Sequence, residues 1–163
     1  LMAKTLCFSR PELALARLLP IERLEALFQA SMVLVAPRFK VTADPRMVEA
    51  DRRVIERSLT QPQGVTLAKL ANAYFKVQAL GDIRAFIEGA ELTANRAGLV
   101  IAGQIEVAKA AIEKDVGMAA KLPVRSKIRD LLVFSLSAEF TQLRQALGTN
   151  VEVVLPGQQQ QRT

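Results

Sequence analysis

Apolar residues recur every three or four positions along most of the chain, which is the spacing of one face of an α-helix. Proline or glycine separates these stretches. Helices are predicted over residues 11–19, 20–35, 45–59, 65–80, 83–102, 105–115, 124–136 and 138–147, and residues 1–8 resemble the interior of another helix. The pattern therefore predicts an all-α fold, an irregular bundle of about seven to nine helices.

The predicted bundle forms a single domain over residues 1–156, and the Gln-rich segment 157–163 is expected to be a disordered tail. Because the chain opens inside a helical pattern, we expect it to be part of a longer polypeptide. Residues 38–44 alternate polar and apolar positions, which suits either a short extended segment or a loop. Residues 60–64 and 116–122 are predicted to be connections.

Local signals place the ends of several helices. Ser9 is predicted to cap a helix that has Pro11 in its first turn and Glu12 completing a capping box. The other start signals are Asp44 before Pro45, Gly81-Asp82 and Ser137, and the stop signals are Gly103 and Gly148. Core faces are predicted for Leu67, Leu70, Ala71, Tyr74 and Phe75 and for Leu131, Leu132, Phe134 and Leu136.

The composition excludes several kinds of chemistry. The chain has no histidine, so Ser-His-Asp catalysis, Cys-His catalysis and imidazole-ligated zinc sites are excluded within this segment. Cys7 is the only cysteine; it cannot form an intrachain disulfide, and we predict a small core residue. No apolar run is long enough for a membrane span. We expect a cytoplasmic protein without a metal or other cofactor, and no enzymatic activity in this segment.

The formal net charge of +6 permits binding to nucleic acid, acidic lipid or an acidic protein. One group of basic residues, Lys121, Arg125, Lys127 and Arg129, offers a candidate contact surface. A second group consists of Arg52, Arg53 and Arg57, and a solvated face is the simpler interpretation of both groups. Only 5% of residues are aromatic, so there is no platform on which single-stranded bases would stack.

The predicted helix over residues 83–102 carries two adjacent stripes. Its apolar stripe consists of Ile83, Ile87, Ala90, Ala94, Ala97 and Ile101, and its polar stripe of Arg84, Glu88, Glu91 and Asn95. Small residues around Gly98 allow another helix to approach closely. Glu91 and Asn95 are therefore candidates for hydrogen bonds across such a contact, although a solvated stripe is the simpler interpretation.

Residues 91–98, Glu-Leu-Thr-Ala-Asn-Arg-Ala-Gly, resemble the helix that carries the third zinc ligand in His-Glu-x-x-His metallopeptidases, where the pattern is Glu-x-x-Ala-Asp-Arg. The resemblance implies that Glu91 corresponds to the zinc ligand and that Asn95 replaces an aspartate. It also implies that the histidine-bearing helix corresponds to residues 1–8 or to residues further upstream. Since residues 1–8 contain no histidine, the resemblance implies a metallopeptidase-like shape that has lost its metal.

Four segments spread along the chain are similar to parts of a domain that follows tetratricopeptide repeats in large bacterial proteins. They are residues 10–17, 91–97, 126–134 and 143–148. This similarity implies a non-catalytic domain that binds another protein, with Glu88, Glu91 and Asn95 as a vestigial site. Two alternatives stay open, a zinc-peptidase fragment whose histidines lie upstream and a basic module that binds nucleic acid.

Overall fold

The computed structural model describes residues 2–77, 82–115 and 122–149, and these ranges contain nine α-helices and no strand. The helices are α1 (Met2–Cys7), α2 (Pro11–Leu18), α3 (Ile21–Val35), α4 (Pro45–Ser58), α5 (Gln61–Val77), α6 (Ile83–Ala102), α7 (Ile105–Lys114), α8 (Val124–Ser135) and α9 (Ala138–Ala146). The prediction of an all-α bundle is confirmed. Residues 38–44 form a connection. Residues 116–121 of the predicted loop 116–122 and the predicted tail 157–163 lie outside the described residues.

Three predicted N-caps are confirmed because a side-chain oxygen accepts a backbone N–H of the first turn. Asp44 accepts from Arg46, Asp82 accepts from Arg84, and Ser137 accepts from Phe140. The predicted cap at Ser9 is wrong. Arg10 occupies that position in an extended conformation without a side-chain cap, because a following proline disfavours helical backbone at the residue before it.

Helix α5 begins four residues earlier than its apolar pattern indicates. Residues 61–64 were predicted to be a connection, yet they form the first turn of the helix. The Gln63 side-chain oxygen accepts hydrogen bonds from both the backbone N–H and the hydroxyl of Thr60, at 2.9 Å each. Thr60-x-x-Gln63 thus resembles a capping box, and Pro62 is tolerated because first-turn N–H groups have no intrahelical acceptor.

Helix α6 lies at the centre of the bundle, with α1, α2, α3, α7, α8 and α9 packed around it. Its first half packs with α2 and α3 through Ile87 and Ala90, and its second half packs with α7 and α8 through Leu99 and Val100. A further core joins α3 to α4. Because α6 is surrounded on several sides, two of its polar residues, Glu91 and Asn95, are carried into the interior.

Helices α3 and α4 are joined by polar contacts as well as by apolar packing. Arg23 donates two hydrogen bonds to the Asp51 carboxylate, at 2.8 and 2.9 Å. The buried Gln29 side chain donates to the Thr42 hydroxyl and accepts the backbone N–H groups of Thr42 and Ala43. These bonds fix the connection between the two helices.

Several residues predicted to face the core are exposed instead. Leu70 and Phe75 of α5 and Leu132 and Leu136 at α8 are exposed. Helix α5 packs mainly against α3, which leaves most of its surface uncovered. Tyr74 is half-buried against Phe28, with ring centroids 5.5 Å apart.

Cys7 is half-buried, and its partial burial raises the pKa of its thiol. Among the described helices, none combines the length and apolarity needed to cross a membrane.

Candidate functional site

Glu91 and Asn95 lie one turn apart on the buried side of α6. Their residues are 6% and 4% exposed, so the interpretation of this part of the polar stripe as solvated is wrong. The reason is the packing around α6: α1 and α8 cover the face that carries these side chains. Burying a carboxylate and an amide is costly unless partners compensate, so their surroundings identify the candidate site.

Two lysines from distant parts of the chain meet the Glu91 carboxylate. Lys127 of α8 forms an ion pair with Glu91 Oε1, and Lys4 Nζ of α1 lies 3.7 Å from the same oxygen. Lys4 also forms an ion pair with Asp115, just after α7. We call these four residues, Lys4, Glu91, Asp115 and Lys127, the Glu91 ion-pair cluster.

The Glu91 ion-pair cluster is charge-balanced, since it contains two ammonium groups and two carboxylates. The side chains of Glu91 and Lys127 are each only 7% exposed, whereas those of Lys4 and Asp115 are 11% and 18% exposed. A buried charge stripped of water is stable only when an opposite charge compensates it. The cluster therefore joins three helices and the end of a fourth by mutual neutralisation.

An Arg96–Asp130 pair fixes the rotation of α8 against α6. Arg96 Nε lies 2.9 Å from Asp130 Oδ2, and Arg96 Nη2 lies 2.5 Å from Oδ1. Hydrogen bonding to Asp130 raises the pKa of the Arg96 guanidinium, with partial burial opposing the shift. Because Lys127 and Asp130 are three positions apart, they share one face of α8. The bidentate pair thus turns Lys127 toward Glu91.

Asn95 lines a cavity beside the Glu91 ion-pair cluster. The cavity has a volume of about 50 Å³. Lys4 and Asp115 contribute polar atoms, and its other walls are small or apolar residues, Gly98, Ala102, Val107, Ala108, Ala111, Ile112 and Leu131. Neither amide atom of Asn95 has a hydrogen-bond partner among the described residues.

The other predicted site residues are more dispersed. Glu88 is half-buried one turn before Glu91, and it takes no part in the Glu91 ion-pair cluster. Arg125 and Arg129 are exposed on α8, and Lys121 lies outside the described residues. The prediction that Lys127 belongs to a basic contact surface is wrong, because this side chain is buried against Glu91.

The sequence analysis did not identify Lys4 or Asp115 as site residues. Lys4 lies in a helix of only six residues, too short to show a periodic pattern. The sequence did contain a signal that Lys127 is buried. This residue precedes Leu131 and Phe134 by one and two helical turns, so it lies on the same stripe as these apolar residues. A lysine on the buried side of a helix predicts a buried acidic partner.

The residues around Glu91 do not fit a zinc ion. Zinc sites supply several lone-pair donors from cysteine, histidine or carboxylate, whereas Glu91 Oε1 faces two ammonium groups. Within residues 2–77, 82–115 and 122–149, no group of three or more His, Cys, Asp and Glu side chains is arranged to hold a metal ion. In this chain, lysine ammonium groups provide the positive charge beside Glu91.

Comparisons with protein-family models, with curated proteins and with solved structures found no match to this chain.

Proposed function

We propose that this chain is a non-catalytic helical domain that binds another protein through the outer face of α8. The main support for this proposal is the contrast between the two faces of α8. Its inner face carries Lys127, Asp130 and Leu131 into the bundle, where ion pairs and apolar contacts hold them. Its outer face carries Arg125, Arg129 and Leu132 at helical spacing, all exposed.

Exposed apolar side chains extend this outer face beyond the arginines. Val133 is exposed, and Leu136, the residue that ends α8, is 89% exposed. Apolar side chains grouped on one exposed face are typical of a surface that becomes covered on binding. The arginines beside them favour a partner that presents acidic residues around an apolar patch.

The charge balance around Glu91 supports a non-catalytic role. A carboxylate already paired with two ammonium groups is a poor ligand for a further cation. We further propose that the domain works in the cytoplasm as part of a larger bacterial protein with tetratricopeptide repeats. That proposal relies on the similarity of residues 91–97 and 126–134 to such domains.

The binding proposal is tested by introducing a photo-crosslinking amino acid at Val133 and illuminating an extract of the source organism. We expect a discrete protein adduct that is lost in Leu136→Ser. The matched control is Leu70→Ser, since Leu70 is similarly apolar and exposed but lies on α5. Equal adduct yield with both substitutions would contradict binding through α8.

The non-catalytic proposal is tested by elemental analysis of the purified chain after incubation with zinc and gel filtration. We expect zinc at well below one equivalent in both the natural chain and Glu91→Gln. One equivalent of zinc in the natural chain, lost in Glu91→Gln, would instead support the zinc-peptidase alternative.

A further inference from the structure

Helix α1 is attached to the bundle through a charged side chain rather than through large apolar ones. Lys4 is the buried residue of this six-residue helix, and it pairs with Glu91 and Asp115. The large apolar side chains of α1, Met2 and Leu6, are 80% and 63% exposed. Among the described residues, none of the core clusters includes a residue of α1. Little apolar area therefore opposes the separation of α1 from α6.

The chain just after α1 has a firmer attachment at Phe8. This ring packs against a core cluster built from α2, α3 and α6, which includes Ala16 and Ile87. The Arg17 guanidinium of α2 also lies over the Phe8 ring, 5.3 Å from its centroid. Separation of α1 would therefore leave it tethered at Phe8, while α2 keeps its place in the bundle.

The closed position of α1 over α6 leaves polar atoms without partners. Both amide atoms of Asn95 and the Glu91 Oε2 atom are buried with no hydrogen-bond partner among the described residues. Each polar group buried in this way disfavours the arrangement that buries it. Lys4 and Asn95 line the same cavity, so departure of α1 removes one of its walls and admits water. Separation of α1 thus gains hydrogen bonds that the closed position lacks.

We propose that α1 is a releasable strap, which covers the polar side of α6 when closed and uncovers it when the Lys4 ion pairs separate. The released form presents the Glu91 carboxylate, the Asn95 amide and the Lys127 ammonium to solvent. A six-residue helix has almost no stability of its own, so α1 unwinds when it separates. This inference does not depend on the proposed function of α8.

The experiment is native-state hydrogen exchange of the full chain, followed by nuclear magnetic resonance at urea concentrations below the unfolding transition. The backbone N–H groups of Leu6 and Cys7 report on α1, and that of the fully buried Ala94 reports on α6. Exchange in α1 should be at least about tenfold faster than at Ala94 and nearly independent of urea, because release of the strap exposes little surface. Equal rates with equal urea dependence would overturn the proposal, since α1 would then separate only when the whole chain unfolds.

Asn95→Leu tests whether the unpaired amide favours release. The substitution keeps the branched shape of the side chain and removes both polar atoms, so the closed position no longer leaves them without partners. Exchange at Leu6 and Cys7 should become about tenfold slower. Unchanged or faster exchange would overturn the proposal, because fraying of α1 in place does not depend on the Asn95 amide.

Lys4→Ala tests the attachment itself. It removes both ion pairs of α1 and should accelerate exchange at Leu6 and Cys7 at least about tenfold. Lys109→Ala is the matched control, because it removes the exposed pair with Glu113 on α7 and should leave these rates unchanged. Equal effects of the two substitutions would contradict an attachment through Lys4.

Val48→Ala separates release of the strap from a general loss of stability. Val48 is buried in the core between α3 and α4, which includes no residue of α1, and its truncation destabilises the whole fold. Exchange at Ala94 through global unfolding should accelerate, whereas exchange at Leu6 and Cys7 should stay the same. Acceleration in α1 that matches the acceleration at Ala94 would show that α1 has no release of its own, and would overturn the proposal.

Discussion

Replacing Lys127 with methionine should destabilise the fold strongly. The substitution keeps most of the buried hydrocarbon volume but removes the ammonium that pairs with Glu91. The carboxylate stays buried, and the Glu91 ion-pair cluster is left with one positive and two negative charges. Removing one partner of a buried ion pair typically costs about 3–5 kcal/mol, because the remaining charge is uncompensated.

The remaining lysine moderates this loss. Lys4 Nζ lies 3.7 Å from Glu91 Oε1, where two unit charges attract each other by about 4 kcal/mol at an effective dielectric constant of about 20. Since Lys4 is shared with Asp115, it compensates Glu91 only in part. We therefore expect Lys127→Met to lower the free energy of unfolding by about 3 kcal/mol. For a chain of this length, that loss corresponds to a melting temperature about 6–12 °C lower.

The measurement is urea unfolding followed by far-ultraviolet circular dichroism. Lys109→Met is the matched control, because Lys109 forms an exposed pair with Glu113 at 3.9 Å that should contribute less than about 0.5 kcal/mol. The double variant Glu91→Met/Lys127→Met should be more stable than Lys127→Met, since Lys4 and Asp115 then balance each other. A loss in Lys127→Met no larger than that in Lys109→Met would refute the reasoning, and so would a double variant less stable than the single one.

Two further predictions concern a helix end and a surface carboxylate. Gly103 ends α6 at a φ of 70°, and a Cβ there would lie 2.4 Å from Arg144 Nη1, so Gly103→Ala should lower the free energy of unfolding by about 1–2 kcal/mol. Gly148→Ala is its control, because Gly148 has a similar φ of 64° with nothing within 4 Å, and equal losses would show that Arg144 is not displaced. Hydrogen bonds from Arg52 and then Arg53 lower the pKa of Glu49 to about 2, which carboxyl-detected nuclear magnetic resonance can follow. The contribution of Glu49 to stability should be complete above its ordinary pKa and should be lost as the pH falls through about 2, whereas an unchanged pKa in Arg52→Gln would contradict the assigned cause.

The sequence predicted the helices well because their signals are local. Helix α6 begins and ends where its pattern and its flanking Asp82 and Gly103 predicted, since an N-cap and a left-handed C-terminal glycine act on adjacent backbone groups. The error at α5 was also local: Pro62 and Gly64 were interpreted as a connection, although Thr60 and Gln63 carry the signature of a capping box.

The candidate site was predicted only in part. Glu91 and Asn95 were identified from their helical spacing. That spacing is equally compatible with a solvated stripe and with a buried pair, so it could not predict their burial. Burial depends on what covers the stripe, and the covering helices α1 and α8 lie far from α6 in the chain. Lys4 and Asp115 were missed because a single charged residue in a short helix or at a helix end has no pattern of its own.

By itself, the sequence determined that the chain contains no histidine, forms an all-α bundle and carries a polar stripe on its central helix. Only the tertiary structure decided that two lysines neutralise Glu91, that Lys127 lies inside the bundle and that Asn95 lines a cavity. The physical reason is that helix formation is governed by neighbours within about four residues. The environment of a buried charge is instead governed by residues such as Lys4 and Asp115, which are 111 positions apart along the chain.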